Sequence, residues 1–413
     1  MTADPYVLLG GGLATARAAE TLRKEGYDGD LVVVTTEAHR PYERPPLSKG
    51  YLRGDDDRES VFPLDESWYA NNGVEMRTSV TAVGLAPGEH RVTLSDGGVL
   101  TYAKLLLATG STPRTLDVPG MDLSGVHYLR TLDDADRLSG RLLDASLEGA
   151  GRVAVVGDGW IGMEVAASAR QLGLNVTVIG RGSIPLGGVL GPELAAVFRD
   201  LHEEQDVRLV SRATVAALSH TDGWVTGVDL SDGSHVEADV VVVGVGVAPN
   251  VGLAEAGGLT LRSAAEGGGI AVSGTLATSH PDVFAAGDVA SIPSPHYGRP
   301  LRVEHWSAAQ EGGTHAGRTM LGLAGDYDRL PYFYSDQFDL GMEYVGWVDV
   351  PGGYDDVVIS GSRENRELVA FWVADGRVAA GMAVNVWEQT ERIEELIRSG
   401  RQVPRDELEG FTA

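Results

Sequence analysis

Two glycine-rich turns carry the residues best suited to chemistry in this sequence. Gly10-x-Gly12-x-x-Thr15 follows the apolar run Tyr6-Val7-Leu8-Leu9, and Gly157-x-Gly159-x-x-Gly162-x-Glu164 follows Val153-Ala154-Val155-Val156. Glycines at this spacing after a strand permit a tight turn and let backbone N–H groups and the start of the next helix approach a pyrophosphate. Behind the first turn, Glu37 stands at the end of the next apolar run, where a carboxylate accepts hydrogen bonds from ribose hydroxyls. Behind the second, Gly180 and Arg181 stand where that acid would be. A carboxylate there selects a free 2′-hydroxyl, whereas a guanidinium pairs with a 2′-phosphate. Arg181 therefore leans the second site towards NADPH or towards tolerance of both nucleotides, with an ordinary exposed arginine as the even alternative. Glu164 has a plain alternative too, an acid in a helix's first turn.

Between these turns lies Pro41-Tyr42-Glu43-Arg44-Pro45-Pro46-Leu47-Ser48-Lys49. Its two adjacent prolines stiffen the backbone, Ser48 suits a helix cap, and Arg44 and Lys49 hold two cations beside a bound anion.

The elements that must position these residues read as follows. Residues 6–9 form a strand, 13–24 a helix and 31–34 a second strand, which makes a βαβ unit. The same grammar returns with a strand at 153–156, a helix at 163–172 and a strand at 176–179. Each unit is followed by a Leu-Ser-Asp-Gly turn, at Leu94 to Gly97 and at Leu230 to Gly233, and by an apolar run. Ala108-Thr109-Gly110 closes the first run and Gly244-Val245-Gly246 the second. The spacing from Ser95 to Gly110 and to Pro113 equals that from Ser231 to Gly246 and to Pro249, which points to an internal duplication. Each Asp-Gly pair reads as a hairpin turn, so each half is a βαβ core with a small meander whose chain returns to a parallel sheet. Pro281 to Asp288 reads as a turn, a short strand and an acid at its carboxyl end. Beyond residue 331 the pattern alternates, with strands at 343–348, 356–359, 367–373 and 377–384. A helix follows at 387–399, with Ile393, Leu396 and Ile397 on one face.

Composition narrows the chemistry further. The chain has 413 residues, 43% hydrophobic, enough for two to three domains. It contains no cysteine, which excludes disulfides, thiolate metal sites and dithiol redox centres, so redox chemistry requires a bound cofactor. With 33 Lys+Arg against 59 Asp+Glu the net charge is -26, which disfavours nucleic acid as a partner. The 10 histidines include no His-Glu-x-x-His, and no Gly-x-Ser-x-Gly is present, so neither a metal nor a hydrolase is expected. No segment approaches a membrane span and the N-terminus lacks the features of a targeting peptide, so a cytoplasmic address is expected.

Pro41 to Lys49, Ala108-Thr109-Gly110, the Gly157 fingerprint, His280 to Asp288 and Tyr334-Ser335-Asp336-Gln337 together resemble the FAD-dependent ferredoxin reductases of multicomponent oxygenase systems, the putidaredoxin and rubredoxin reductase group. Flavoproteins of the apoptosis-inducing-factor type are similar too. The resemblance implies an α/β chain with two Rossmann-like nucleotide-binding domains of the glutathione-reductase kind and a C-terminal α+β interface domain. Residues 1–112 and 248–325 would bind FAD, 113–247 would bind NADH or NADPH, and 326–413 would form the third domain. It places Gly10, Gly12, Leu13, Ala14 and Glu37 at the adenosine end of FAD, with Arg44, Pro45 and Lys49 near its pyrophosphate and flavin. Val80, Ala108, Thr109, Gly110, Arg130 and Gly287 are further contacts, Asp288 meets the ribityl chain and Trp306 lies beside the isoalloxazine. Gly157, Gly159, Ile161, Gly162, Gly180, Arg181, Gly244 and Gly246 are assigned to the nicotinamide nucleotide, with Glu164 approaching the nicotinamide. Lys49, Glu164 and Trp306 are the expected catalytic residues.

Three departures stand out: Thr15 for the third glycine, Gly180-Arg181 for an acid, and Glu304-His305-Trp306 for a Glu-Ser-Val type. His305 reads either as a proton donor near the flavin or as a packed histidine. The implied activity passes electrons from NAD(P)H through FAD to a ferredoxin-type iron–sulfur protein that supplies a monooxygenase or dioxygenase, from a monomer or homodimer. Rival readings are an NAD(P)H oxidase or quinone reductase, and a redox-sensing interaction protein. An acidic ferredoxin would need a local basic patch, for which Arg44, Arg53, Arg58, Arg302 and Arg318 are candidates.

Overall fold

In the computed structural model, residues 4–147, 149 and 151–411 are described. The chain divides into two compact units: residues 1–44, 58–112 and 248–331, and residues 45–57, 113–247 and 332–413.

The first unit is built on a parallel sheet whose strands run in the order Val283–Ala285, Lys104–Leu107, Tyr6–Leu9, Leu31–Val34 and Val74–Arg77. Leu31 to Val34 are buried throughout, as expected for a strand covered on both faces. The helix Leu13–Lys24 begins directly after the glycine turn, with Gly12 as its N-cap. It packs on the helix Trp306–Met320 so closely that a Cβ on Gly313 would lie 2.3 Å from the Ala14 carbonyl oxygen. A small-residue face, including Ala14 and Ala18, makes that approach possible.

The second unit repeats the plan. Its parallel sheet runs Arg208–Val210, Asn175–Ile179, Arg152–Val156, Val240–Val243 and Val126–Tyr128. The helix after the fingerprint, Trp160–Gln171, starts three residues earlier than the sequence pattern suggested, because Trp160 is apolar and packs edge-on against Phe198 and Phe333. Glu164 consequently lies in the second turn of this helix and not the first. The same unit contains an antiparallel sheet in the order Tyr332–Gln337, Leu340–Gly346, Arg377–Val384, Glu367–Ala374 and Asp356–Ser362. Tyr332–Gln337 escaped the sequence reading. The helix expected at 387–399 is shorter, Thr390–Ser399, with Ile393 and Ile397 buried and Leu396 only partly so, and a further helix, Arg405–Glu409, follows it.

The duplication extends to single hydrogen bonds. Each unit carries a three-stranded meander, Ala82–Ala86, Arg91–Leu94 and Val99–Thr101 in the first, Val215–Thr221, Trp224–Leu230 and His235–Glu237 in the second. In the hairpins, Asp96 Oδ1 accepts from Gly98 N at 2.8 Å and Asp232 Oδ1 from Ser234 N at 2.9 Å. Ser95 N donates to Thr81 O at 2.8 Å, and Ser231 N to Thr214 O at 2.9 Å. Among the described residues, no helix is long and apolar enough to cross a membrane.

Candidate functional site

Both sheets have their switch point between the strand preceding the glycine turn and the strand returning from the meander, where α/β proteins bind ligands at the strands' carboxyl ends. In the first unit a Cβ on Gly10 would stand 2.1 Å from the Ala108 carbonyl oxygen, and Gly10 has φ +145°. In the second, a Cβ on Gly157 would stand 2.2 Å from the Gly244 carbonyl oxygen, with φ +117°. Only glycine fits either place. Gly162 is held as tightly, its Cβ position lying 2.0 Å from the Gly157 carbonyl oxygen. Gly12 and Gly159 differ: each caps its helix without a side-chain hydrogen bond, and a Cβ there would meet nothing within 4 Å. Uncapped helix N-termini facing open space are the receptors a pyrophosphate requires. Thr15 replaces the third glycine of the first fingerprint and is fully buried.

Around the first cradle, Glu37 accepts from the Tyr42 hydroxyl and, at 3.0 Å, from the Arg44 guanidinium. A carboxylate has about four acceptor positions, so two protein donors leave capacity for a ribose diol. Arg44 is thereby an internal partner of Glu37, which corrects its place in an exposed docking patch. Arg302 needs the same correction: it donates to the carbonyls of Gly267 and Asp288, at 2.6 and 3.1 Å, and pairs with Glu304. Thr109 Oγ1 donates to Asn250 O at 2.9 Å and Asn250 Nδ2 returns a bond to Thr109 O at 2.8 Å, clamping the loop that ends at Gly110. Ser111 donates to Asp288 Oδ2 at 2.6 Å. Val80 N donates to Thr35 O at 3.1 Å, fixing the loop that follows Arg77. Trp306 is the first residue of its helix and His305 its N-cap. Burial pulls the His305 pKa down to about 4 against the opposing charge of Asp288, which favours the neutral ring.

In the second unit, Glu164 is only 4% exposed and accepts from Ser48 Oγ at 2.5 Å, Ser335 Oγ at 2.7 Å and Lys49 Nζ at 2.8 Å. Ser48 is thus a carboxylate donor rather than the expected helix cap; Lys49 occupies the N-cap of the short helix Gly50–Arg53. Ile161 remains 45% exposed at the helix N-terminus. Gly180 sits against the Asp158 carboxylate, and Arg181 beside it is exposed. Arg130 precedes the helix Leu132–Leu147, its N–H donating to Asp134 at 3.2 Å. Glu37, Arg44, Val80, Ala108 to Gly110, Gly287, Asp288 and Trp306 belong to the first unit, and Pro45, Lys49, Arg130 and Glu164 to the second.

Sequence reading missed Ser335 and Asp158 as site residues; each is a small polar side chain inside a recognised motif, and only the packing shows which way it points. It also missed a grouping of His90, His280 and Asp282, whose candidate ligand atoms lie within 4.8 Å of one another. That span exceeds the edge of about 3.4 Å set by a tetrahedral zinc ion with bonds of about 2.1 Å. His90 is already engaged with the Tyr102 carbonyl at 3.1 Å and lies 3.6 Å from Asp282.

Residues 4–313 match the family described as Pyridine nucleotide-disulphide oxidoreductase. The chain belongs to that family. Residues 332–410 match a second, described as Reductase C-terminal. Having no cysteine, this oxidoreductase lacks the disulphide of the family's title. It is 38% identical over 402 residues to the anthranilate 1,2-dioxygenase system ferredoxin–NAD(+) reductase component of Burkholderia cepacia, covering 97% of this chain and 95% of the relative. Among solved structures it superposes with a TM-score of 0.92 on the ferredoxin reductase for the CYP199A2 system of Rhodopseudomonas palustris, at 34% identity and covering 99% and 98% of the two chains. The reductase of a covalent putidaredoxin reductase–putidaredoxin complex gives the same TM-score at 31% identity, covering 99% and 96%.

Proposed function

We propose that this protein is an FAD-dependent NAD(P)H:ferredoxin oxidoreductase that supplies electrons to an oxygenase. The observation that carries the reading is the pair of dinucleotide cradles, each with a glycine that no other residue could replace and an uncapped helix N-terminus, in a chain without a thiol. When bound, FAD supplies the conversion of a two-electron donor into single-electron steps.

The chain's own residues do the rest. In this reading residues 1–112 and 248–325 hold FAD, 113–247 the nicotinamide nucleotide, and 326–413 form the interface domain. The helix N-termini at Gly12 and Gly159 bind the two pyrophosphates. Glu37 would accept from the adenosine ribose of FAD, Asp288 from its ribityl hydroxyls, and the Trp306 indole would keep water from the flavin. Glu164, buried and already balanced by Lys49, positions that ammonium while adding no net charge. Ser48 and Ser335 hold the carboxylate in one rotamer. This paired, buried lysine and glutamate would orient the nicotinamide. Arg58 and Arg318, both exposed, are the cations kept for an acidic ferredoxin, Arg318 while paired with Glu25 at 3.2 Å; Arg53, 23% exposed and bonded to Asp55 at 2.7 Å, is withdrawn like Arg44, and the protein works as a monomer or homodimer.

The test is an anaerobic titration of the purified protein followed by its visible spectrum, with NADH and NADPH in separate runs and a ferredoxin then added. Bleaching of an oxidised-flavin spectrum, reversed by the ferredoxin through many turnovers, is expected. A colourless protein, or a flavin that neither nucleotide reduces, would refute the reading; rapid reoxidation by oxygen with none by ferredoxin would favour an oxidase.

A further inference from the structure

The second cradle lacks an acid at the end of the strand Asn175–Ile179, where Gly180 and Arg181 stand. Taken alone, that pair reads as an opening for a 2′-phosphate. The packing gives Gly180 a different reason. A Cβ on Gly180 would lie 2.1 Å from Asp158 Oδ2, 2.4 Å from its Cγ and 2.8 Å from its Cβ. The carboxylate of Asp158, the middle residue of the Gly157-Asp158-Gly159 turn, already fills the space in which a side chain at 180 would begin. A larger residue at 180 would have to displace the Asp158 side chain from this position.

We infer that Asp158 supplies, from the glycine turn, the carboxylate that binds the adenosine ribose diol of the nicotinamide nucleotide, and so selects NADH over NADPH. This rests on the proposed oxidoreductase reading and reverses the preference suggested by Arg181 alone. Several features support it. The turn that carries Asp158 is anchored at both ends: Gly157 N donates to Ile179 O at 2.9 Å, and Leu186 N to the Asp158 carbonyl at 2.9 Å. Gly180 is pinned in turn, its N–H donating to Val210 O and its carbonyl accepting from Ala213 N, both at 2.9 Å. The backbone that carries the carboxylate is therefore fixed, and the carboxylate lies against Gly180 at the strand end, where the ribose of a bound dinucleotide lies. Burial raises the Asp158 pKa, while a hydrogen bond from its own backbone N–H and, after it, the Arg181 charge lower it. A 2′-phosphate at this strand end would meet the Asp158 anion as well as the exposed Arg181, whose charge acts on the same carboxylate.

The experiment is calorimetric titration of the FAD-loaded protein with NAD+ and with NADP+, on wild type, Asp158→Asn, Arg181→Ala and the double exchange Asp158→Gly with Gly180→Glu. Wild type should bind NAD+ at least about tenfold more tightly, the size of one charge-assisted hydrogen bond gained or lost. Asp158→Asn should erase most of that ratio, by weakening NAD+ and strengthening NADP+. The double exchange moves the carboxylate to the strand end and should restore the ratio, which separates a lost contact from a damaged fold. Arg181→Ala should leave NAD+ affinity within about twofold. Tighter binding of NADP+ by wild type, or an unchanged ratio in Asp158→Asn, would overturn the inference. Binding of neither nucleotide would refute the oxidoreductase reading itself, and this inference with it.

Discussion

Replacing Glu164 by glutamine should destabilise the second unit far more than a surface change of the same kind. Lys49 is 14% exposed and Glu164 4%, and they pair at 2.8 Å. The glutamine keeps the volume and can still accept from one serine, but it leaves the Lys49 ammonium largely buried without its anion. Breaking a buried pair from one side costs about 3 kcal/mol. Lys49→Met strands the carboxylate in the same way, although Ser48 and Ser335 still donate to it. The double variant removes both charges, so it should cost less than the two single changes together, by a coupling of about 2 kcal/mol. Hydrogen exchange on the FAD-loaded protein is the suitable assay, read at amides of the helix Trp160–Gln171 and the strand Tyr332–Gln337. It reports local opening and does not require a 413-residue chain to unfold in one step. Glu164→Gln should accelerate exchange there by about a hundredfold, and amides of Leu31–Val34 in the other unit should be unmoved. Less than a fivefold acceleration, or strict additivity in the double variant, would show that the pair carries no such energy.

Four further outcomes are expected. Gly10→Ala should yield protein that does not retain FAD, since the new Cβ would lie 2.1 Å from the Ala108 carbonyl oxygen. Gly12→Ala should leave apoprotein stability within about 0.5 kcal/mol and yet weaken FAD, because its Cβ meets only open space, as absorbance at the flavin band after gel filtration will show. His202 is fully buried, donates from Nε2 to Gln337 at 2.9 Å and has its pKa pulled down by burial to about 4 from 6.5. The unfolded chain binds the extra proton between those values, so the stability it contributes is intact above pH 6.5 and is lost as pH falls towards 4. The loss reaches about 2 kcal/mol by pH 5, and a His202→Gln variant should show a correspondingly flatter profile in urea titrations between pH 7.5 and 5. Arg318 is 47% exposed while paired with Glu25 at 3.2 Å, against 12% for Arg302. Arg318→Glu should raise the KM for ferredoxin several-fold at low salt and little at high salt, with NADH-dependent flavin reduction unchanged. An unchanged KM would remove it from the docking surface.

Periodicity and glycine spacing alone revealed two βαβ cores, their hairpins and their shared descent, because strands buried on both faces and turns with positive φ permit few residue types. Gly10 and Gly157 could be recognised for that reason, and the close approaches to Ala108 and Gly244 explain why they must be glycine. Charged and hydroxyl residues are less constrained by local structure, and there the sequence was silent or misleading. Ser48 has the type and place of a helix cap, yet the tertiary fold turns it onto Glu164, more than a hundred residues away. Arg44 and Arg302 look like free surface charges in the sequence and are spent on partners within the unit. Gly180 shows the division most clearly: the sequence reports that an acid is missing from the strand end, and only the three-dimensional packing shows that Asp158 has taken its space. Local pattern determines where the backbone turns; which polar side chain faces which is decided when distant segments pack and every buried charge must find a partner.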